Sequence, residues 1–157
     1  MADRLIETVN KVLGELESKG MHLTQNGFND PKGVYNRSVF LTSEALQNVL
    51  AATDEIPHLP QRQRKGWVQD PCSYAIKHSL ERYRGRCGAN RHYISNGELI
   101  LATLILGYPI KGYKDSPNVI YKTKFLDWNH WPQSEGSQSD SKSYFVSFEN
   151  FRNILYL

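Results

Sequence analysis

Cysteine is scarce in this sequence, with only Cys72 and Cys87 in 157 residues. That excludes a disulfide scaffold, and two thiols in a chain this long point to a reducing compartment, cytoplasm or nucleus. Long apolar runs are missing too. The longest candidate, residues 99–110, is interrupted by Thr103, Gly107 and Pro109 and falls short of the ~20 apolar residues that span a bilayer. The N-terminal stretch MADRLIETVNKVL has Asp3 and Glu7 where a secretory signal would be basic, so export is not expected. There is no phosphate-binding glycine loop, dinucleotide fingerprint or nucleophile elbow. The sequence therefore assigns no catalytic residue, metal ligand or cofactor. An enzyme whose site is assembled only in space stays open, because such a site leaves no local signature.

What is present suits one globular domain. Apolar residues make up 39% and charged residues 22%, and a chain of this length buries roughly 70% of its unfolded surface. Leu5, Val9, Val12, Leu13 and Leu16 form one apolar stripe, which predicts a helix over residues 3–19 with Asp3 as N-cap and Gly20 just past its end. Residues 26–33 (NGFNDPKG) are dense in turn formers. A strand is expected over residues 34–41, then a helix capped by Thr42 or Ser43 with Leu46, Val49 and Leu50 on one face. Residues 56–66 (IPHLPQRQRKG) read as an extended basic connector. Asp70 and Pro71 predict the start of a helix that carries Ile76, Leu80 and Tyr83 on one side and ends at Gly85.

Ser95 and Glu98 have capping-box spacing, and Ile94 with Leu99 occupies the positions of a hydrophobic staple. The helix that follows, LILATLILG, is apolar all round and should run through the core. Residues 110–125 read as a hairpin about the turn Asp115-Ser116-Pro117-Asn118. Residues 134–143 form a polar low-complexity loop, and a last strand is expected from residue 143 to 148. The fold class predicted is α+β: a single domain, residues 1–157, with a central apolar helix, flanking amphipathic helices and a small antiparallel sheet that includes a basic hairpin. Within it, residues 1–56 form an N-terminal α/β portion, 57–66 the connector, and 67–157 a helix-helix-hairpin portion.

The net charge of +3 averages over unequal parts. Residues 1–60 carry five basic and eight acidic side chains, whereas residues 61–92 carry eight basic and two acidic. The hairpin 110–125 adds four lysines against Asp115. Together the two basic segments sum to +9 against −6 for the remainder. Such a patch attracts polyanions, because each phosphate neutralised releases a condensed counterion. The candidate nucleic-acid contacts are Arg62, Arg64, Lys65, Trp67, Lys77, Arg82, Arg84, Arg86, Arg91, Lys111, Lys114, Lys122 and Lys124. Tyr74 and Tyr93 join Trp67 as groups able to stack on bases if exposed. A solvated basic face is the plain alternative, with Lys77 and Glu81 an ordinary i,i+4 pair.

The order basic helix, second helix, lysine hairpin is winged-helix-like. A recognition helix needs polar side chains at its N-terminal end, however, and Asn96 and Glu98 are followed by an apolar run. Cys72, His78, Cys87 and His92 match no common zinc spacing. His130, between Trp128 and Trp131, reads as part of an aromatic loop covering the core.

Ser73, Tyr74, Lys77, His78 and Glu81, then Tyr93, Ser95, Asn96 and Gly97, then Gly107, Tyr108, Ser116, Pro117 and Asn118 form a pattern that resembles short uncharacterised proteins of DNA viruses, phages and other mobile elements. It covers residues 73–118. The resemblance implies a viral or phage-related origin and no particular activity. The expected function is a nucleic-acid-binding accessory protein, for DNA or RNA, acting on the phosphate backbone with little sequence preference. A factor that binds and blocks a host protein is the alternative. No membrane partner is expected.

Overall fold

The computed structural model describes residues 2–30, 32–59, 72–89, 92–121 and 143–155. Its first helix, α1 (Ala2–Ser18), buries the expected stripe Leu5, Val9, Val12, Leu13 and Leu16. Asp3 lies in the first turn rather than before it, where its charge still opposes the helix dipole. Gly20 closes the helix at φ 74°, and the Met21 amide donates back to the Leu16 carbonyl, a Schellman-type ending.

Two short strands follow, β1 (Leu23–Thr24) and β2 (Gly27–Phe28), paired antiparallel. The strand expected over 34–41 does not form; Arg37–Phe40 is a 3-10 turn instead. Asn36 decides this, because its side chain accepts the Ser38 amide and commits the backbone to turning. Arg37 then reaches back to Glu17 of α1. Thr42 caps α2 (Ser43–Glu55) by accepting the Ala45 amide, and Ile56–His58 continues it as a 3-10 turn.

Helix α3 (Ser73–Arg86) begins later than the Asp70-Pro71 signal implied, and those two residues lie outside the described ones. Cys72 bridges Ile120 and is held extended, so the first helical residue is Ser73. The helix also runs past Gly85 to Arg86, and Gly88 supplies the left-handed residue at φ 73°. Helix α4 (Asn96–Ile105) has both halves of the capping box, and every one of its residues is buried. Gly107 ends it at φ 81°.

Strands β3 (Ile110–Tyr113), β4 (Val119–Ile120) and β5 (Ser143–Val146) form an antiparallel sheet in the order β4-β3-β5. Lys111 pairs with Ile120 on one side and Phe145 on the other. The second hairpin strand is shorter than expected within the described residues, and Lys122 and Lys124 lie outside them. A last helical turn, α5 (Arg152–Leu155), follows. The fold is α+β, and among the described residues one core draws on all five helices and both sheets.

Four residues of the 73–118 pattern, Ser73, Asn96, Gly97 and Asn118, build the joint between these parts. Asn96 Nδ2 donates to the Asn26 carbonyl and to Asn118 Oδ1, each at 2.9 Å. The Gly97 amide donates to the Gln25 carbonyl, and a Cβ at Gly97 would stand 2.0 Å from the Thr24 carbonyl oxygen. The Val119 amide donates to Ser73 Oγ at 3.2 Å. The pattern thus ties the β1–β2 hairpin, the start of α4 and the β3–β4 turn to the start of α3.

Candidate nucleic-acid interface

Helix α3 carries four of the candidate cations, and helical spacing divides them. At about 100° per residue, Tyr74, His78, Arg82 and Arg86 follow one another at i+4 steps along one slowly turning row. Tyr74, Arg82 and Arg86 are exposed and His78 is partly so. Neither Arg82 nor Arg86 pairs with a carboxylate among the described residues; Arg82 only approaches Ser79 Oγ at 3.4 Å. Both lie in the last two turns, where cations also complement the helix C-terminus.

Lys77 and Arg84 do not lie on the solvated arc that the sequence predicts. They are 8% and 4% exposed. Arg84 holds Glu55 of α2 through Nε and Nη2, with contacts of 2.7 to 3.0 Å, and Nη1 reaches the Tyr93 carbonyl. Lys77 Nζ donates to both oxygens of Glu81 at 3.2 Å. A cation this buried stays charged at tolerable cost only when a carboxylate and hydrogen bonds compensate it. Both residues sit at the edge of the buried stripe, where α2 and the approach to α4 close over them.

Glu81 organises this edge. Besides Lys77 it lies 3.1 Å from His78 Nδ1 and accepts the Ile94 amide at 3.4 Å. That amide immediately precedes the Ser95 cap, so one carboxylate couples α3 to the entry of α4. Lys77 Nζ stands 4.9 Å from the Tyr93 ring centroid and 5.6 Å from that of Tyr74, a cation between two aromatic faces. The Tyr74 and His78 rings meet edge to face at 4.3 Å. Yet Tyr74 remains 51% and Tyr93 61% exposed, unusual for rings held this firmly. Both satisfy the exposure that stacking requires.

The hairpin meets α3 at the helix's N-terminal end. Cys72, the residue before α3, bridges Ile120, whose partner across β3 is Lys111. Lys111 is half-buried, its Nζ 5.5 Å from the ring centroids of both Tyr113 and Phe145, and Lys114 is exposed in the turn. Lys111 is therefore placed near the Tyr74 end of α3, with Arg82 and Arg86 toward the other. Arg62, Arg64, Lys65, Trp67, Arg91, Lys122 and Lys124 lie outside the described residues, as does His130.

The complete burial of α4, expected from its apolar run, leaves it no face to insert into a groove. No group of three or more His, Cys, Asp or Glu is arranged for a metal among the described residues. Cys72 and Cys87 flank α3, about 22 Å apart by helical rise, and both are free thiols. No helix among the described residues is long and apolar enough to cross a membrane. Sequence reasoning missed the role of Glu55 as the internal counterion of Arg84, because the two are 29 residues apart.

No family model matches the chain, and neither a curated protein nor a solved structure matches it.

Proposed function

We propose that this chain is a nucleic-acid-binding accessory protein that grips phosphate backbone with little sequence preference. The observation that carries this reading is the exposed row Tyr74, His78, Arg82 and Arg86, flanked by exposed Tyr93. Unpaired guanidinium groups neutralise phosphates, while exposed tyrosine rings stack on bases of any sequence. That combination favours single strands, whose bases are free to stack. Lys111 and Lys114 extend the surface at the Tyr74 end. Arg62, Arg64, Lys65, Trp67, Arg91, Lys122 and Lys124 enter the proposal from sequence alone. Lys77 and Arg84 are assigned to stability, not to phosphate.

A viral or phage-related origin belongs to the same proposal and rests on the resemblance of residues 73–118. So does a reducing compartment, cytoplasm or nucleus. Two thiols about 22 Å apart far exceed the Cα separation of roughly 7 Å beyond which no bridge forms.

Affinity for single- and double-stranded oligonucleotides across a salt series tests the function. Binding should weaken steeply with salt, and each of Arg82→Ala and Arg86→Ala should lower the slope of log K against log salt by about 0.7 on a single strand. Absence of binding at low salt, or affinity indifferent to salt, overturns it.

A further inference from the structure

Between α2 and the capped end of α4 lies a cavity of about 270 Å³, lined by Gln25, Thr42, Asn48, Tyr93, Ser95 and Glu98 among others. Its size is just under the roughly 300–1,000 Å³ of sites for drug-sized ligands, enough for a single planar ring system. Three of its polar side chains are more than nine-tenths buried, Ser95 and Glu98 at 4% and Asn48 at 8% exposure. Glu98 Oε1 accepts the Ser95 amide at 2.9 Å and Asn48 Nδ2 at 3.4 Å. No hydrogen bond to Glu98 Oε2 or Asn48 Oδ1 occurs among the described residues, and neither atom is sealed from solvent. Two residues that line the cavity thus each carry an acceptor oxygen with no donor among the described residues.

Tyr93 lines the same space and connects it to the basic row. Lys77 Nζ already sits over its ring at 4.9 Å, and Arg84 reaches its carbonyl. A strand held on α3 that reaches Tyr93 also reaches this cavity. A second cation would meet Lys77 and Arg84 there, whereas a neutral ring would not.

We infer that the cavity takes one unpaired nucleobase bearing an exocyclic amino group. Such a base offers N–H donors to Glu98 Oε2 and Asn48 Oδ1, with Tyr93 beside it. Uracil and thymine present carbonyl oxygens on either side of their one N–H, setting acceptor against acceptor. Discrimination by a matched pair of hydrogen bonds corresponds to about fivefold or more. This inference deepens the nucleic-acid reading and rests on it, adding preference at one nucleotide to a grip otherwise indifferent to sequence.

Titrating the full chain with cytidine, adenosine, guanosine and uridine, followed by amide chemical shifts, separates the cavity from the phosphate surface, since nucleosides carry no phosphate. The amides of Asn48, Tyr93 and Ser95 should respond to the first three, with uridine at least about fivefold weaker. Asn48→Ala should abolish that preference. Tyr93→Leu, an exposed position outside the cap, should weaken all nucleosides together and keeps the test informative if Asn48→Ala unfolds. Oligo-dC should outbind oligo-dT at equal salt by a similar factor. Equal response to all four nucleosides, or none, overturns the cavity while leaving salt-dependent oligonucleotide binding intact. Salt-indifferent oligonucleotides with selective nucleosides overturn the backbone reading instead. N-acetylarginine amide shifting the same amides more strongly than any nucleoside would show a peptide site and overturn the inference.

Discussion

Lys77 and Arg84 on one edge of α3, and Arg82 and Arg86 on its exposed row, are alike in charge and opposite in surroundings. The first two are enclosed, each against a carboxylate; the second two face solvent with no carboxylate partner among the described residues. Five residues or fewer separate any buried member from an exposed one nearby, so the segment's charge count says nothing about which cations a partner meets. Position relative to the apolar stripe decides it. Long cationic side chains at the stripe's edge bury their stems beside it, and a neighbouring helix that offers a carboxylate draws in the head group as well.

The comparison breaks most visibly at Arg84. Arg84→Met leaves Glu55 partly buried without its guanidinium and removes the tie to the Tyr93 carbonyl. The expected loss is about 3 kcal/mol, read as a lower urea midpoint. Adding Glu55→Leu should recover most of it, since removing both charges costs far less than stranding one. If Arg84→Met is as mild as Arg82→Ala, the distinction between the two pairs fails.

Lys77→Met should cost less, about 1 kcal/mol. Methionine retains most of the buried stem, and Glu81 keeps His78 and the Ile94 amide as partners. The exposed pair should behave in the reverse sense. Arg82→Ala and Arg86→Ala should each change stability by no more than about 0.5 kcal/mol, while lowering the salt slope of oligonucleotide binding. Lys77→Met and Arg84→Met, at temperatures where they remain folded, should leave that slope unchanged.

Much of the architecture was legible because its signals are local. The Ser95–Glu98 box spans three residues and needs no tertiary context, and the same holds for Gly20, Gly107 and the turn at Asp115–Asn118. Residues 34–41 misled because Val39, Phe40 and Leu41 suit a strand, yet the Asn36 side chain captures the Ser38 amide first. The start of α3 misled for a tertiary reason, the bridge of Cys72 to Ile120. Of the candidate interface, Tyr74, Arg82 and Arg86 followed from helical spacing once the buried side was known. Arg84 did not, because Glu55 is remote in sequence, and neither did the Asn48–Glu98 approach across 50 residues. Lys77 and Glu81 were visible as an i,i+4 pair, but spacing alone does not distinguish a pair in solvent from one closed over by Tyr93.

A fifth cation, Arg37, shows what lies between the two extremes. It donates to Glu17 through Nε and Nη2 and to Asn10 through Nη1, and both members of the Arg37–Glu17 pair are about one-third exposed. The Arg37 guanidinium, then the Tyr35 hydroxyl, holds the Glu17 carboxyl below its ordinary value of 4.5. The carboxylate therefore binds its proton less readily folded than unfolded. Its contribution to stability is present above the unfolded value and disappears as pH falls through the lower folded one. Glu17→Gln should lower the urea midpoint at pH 7, with the gap to the parent chain narrowing below about pH 4.5. High salt should shrink that gap, because a partly exposed pair is screened, while barely moving the penalty of Arg84→Met. A gap that stays constant down to pH 2 would mean that Glu17 acts through packing alone, leaving α3 without this graded intermediate.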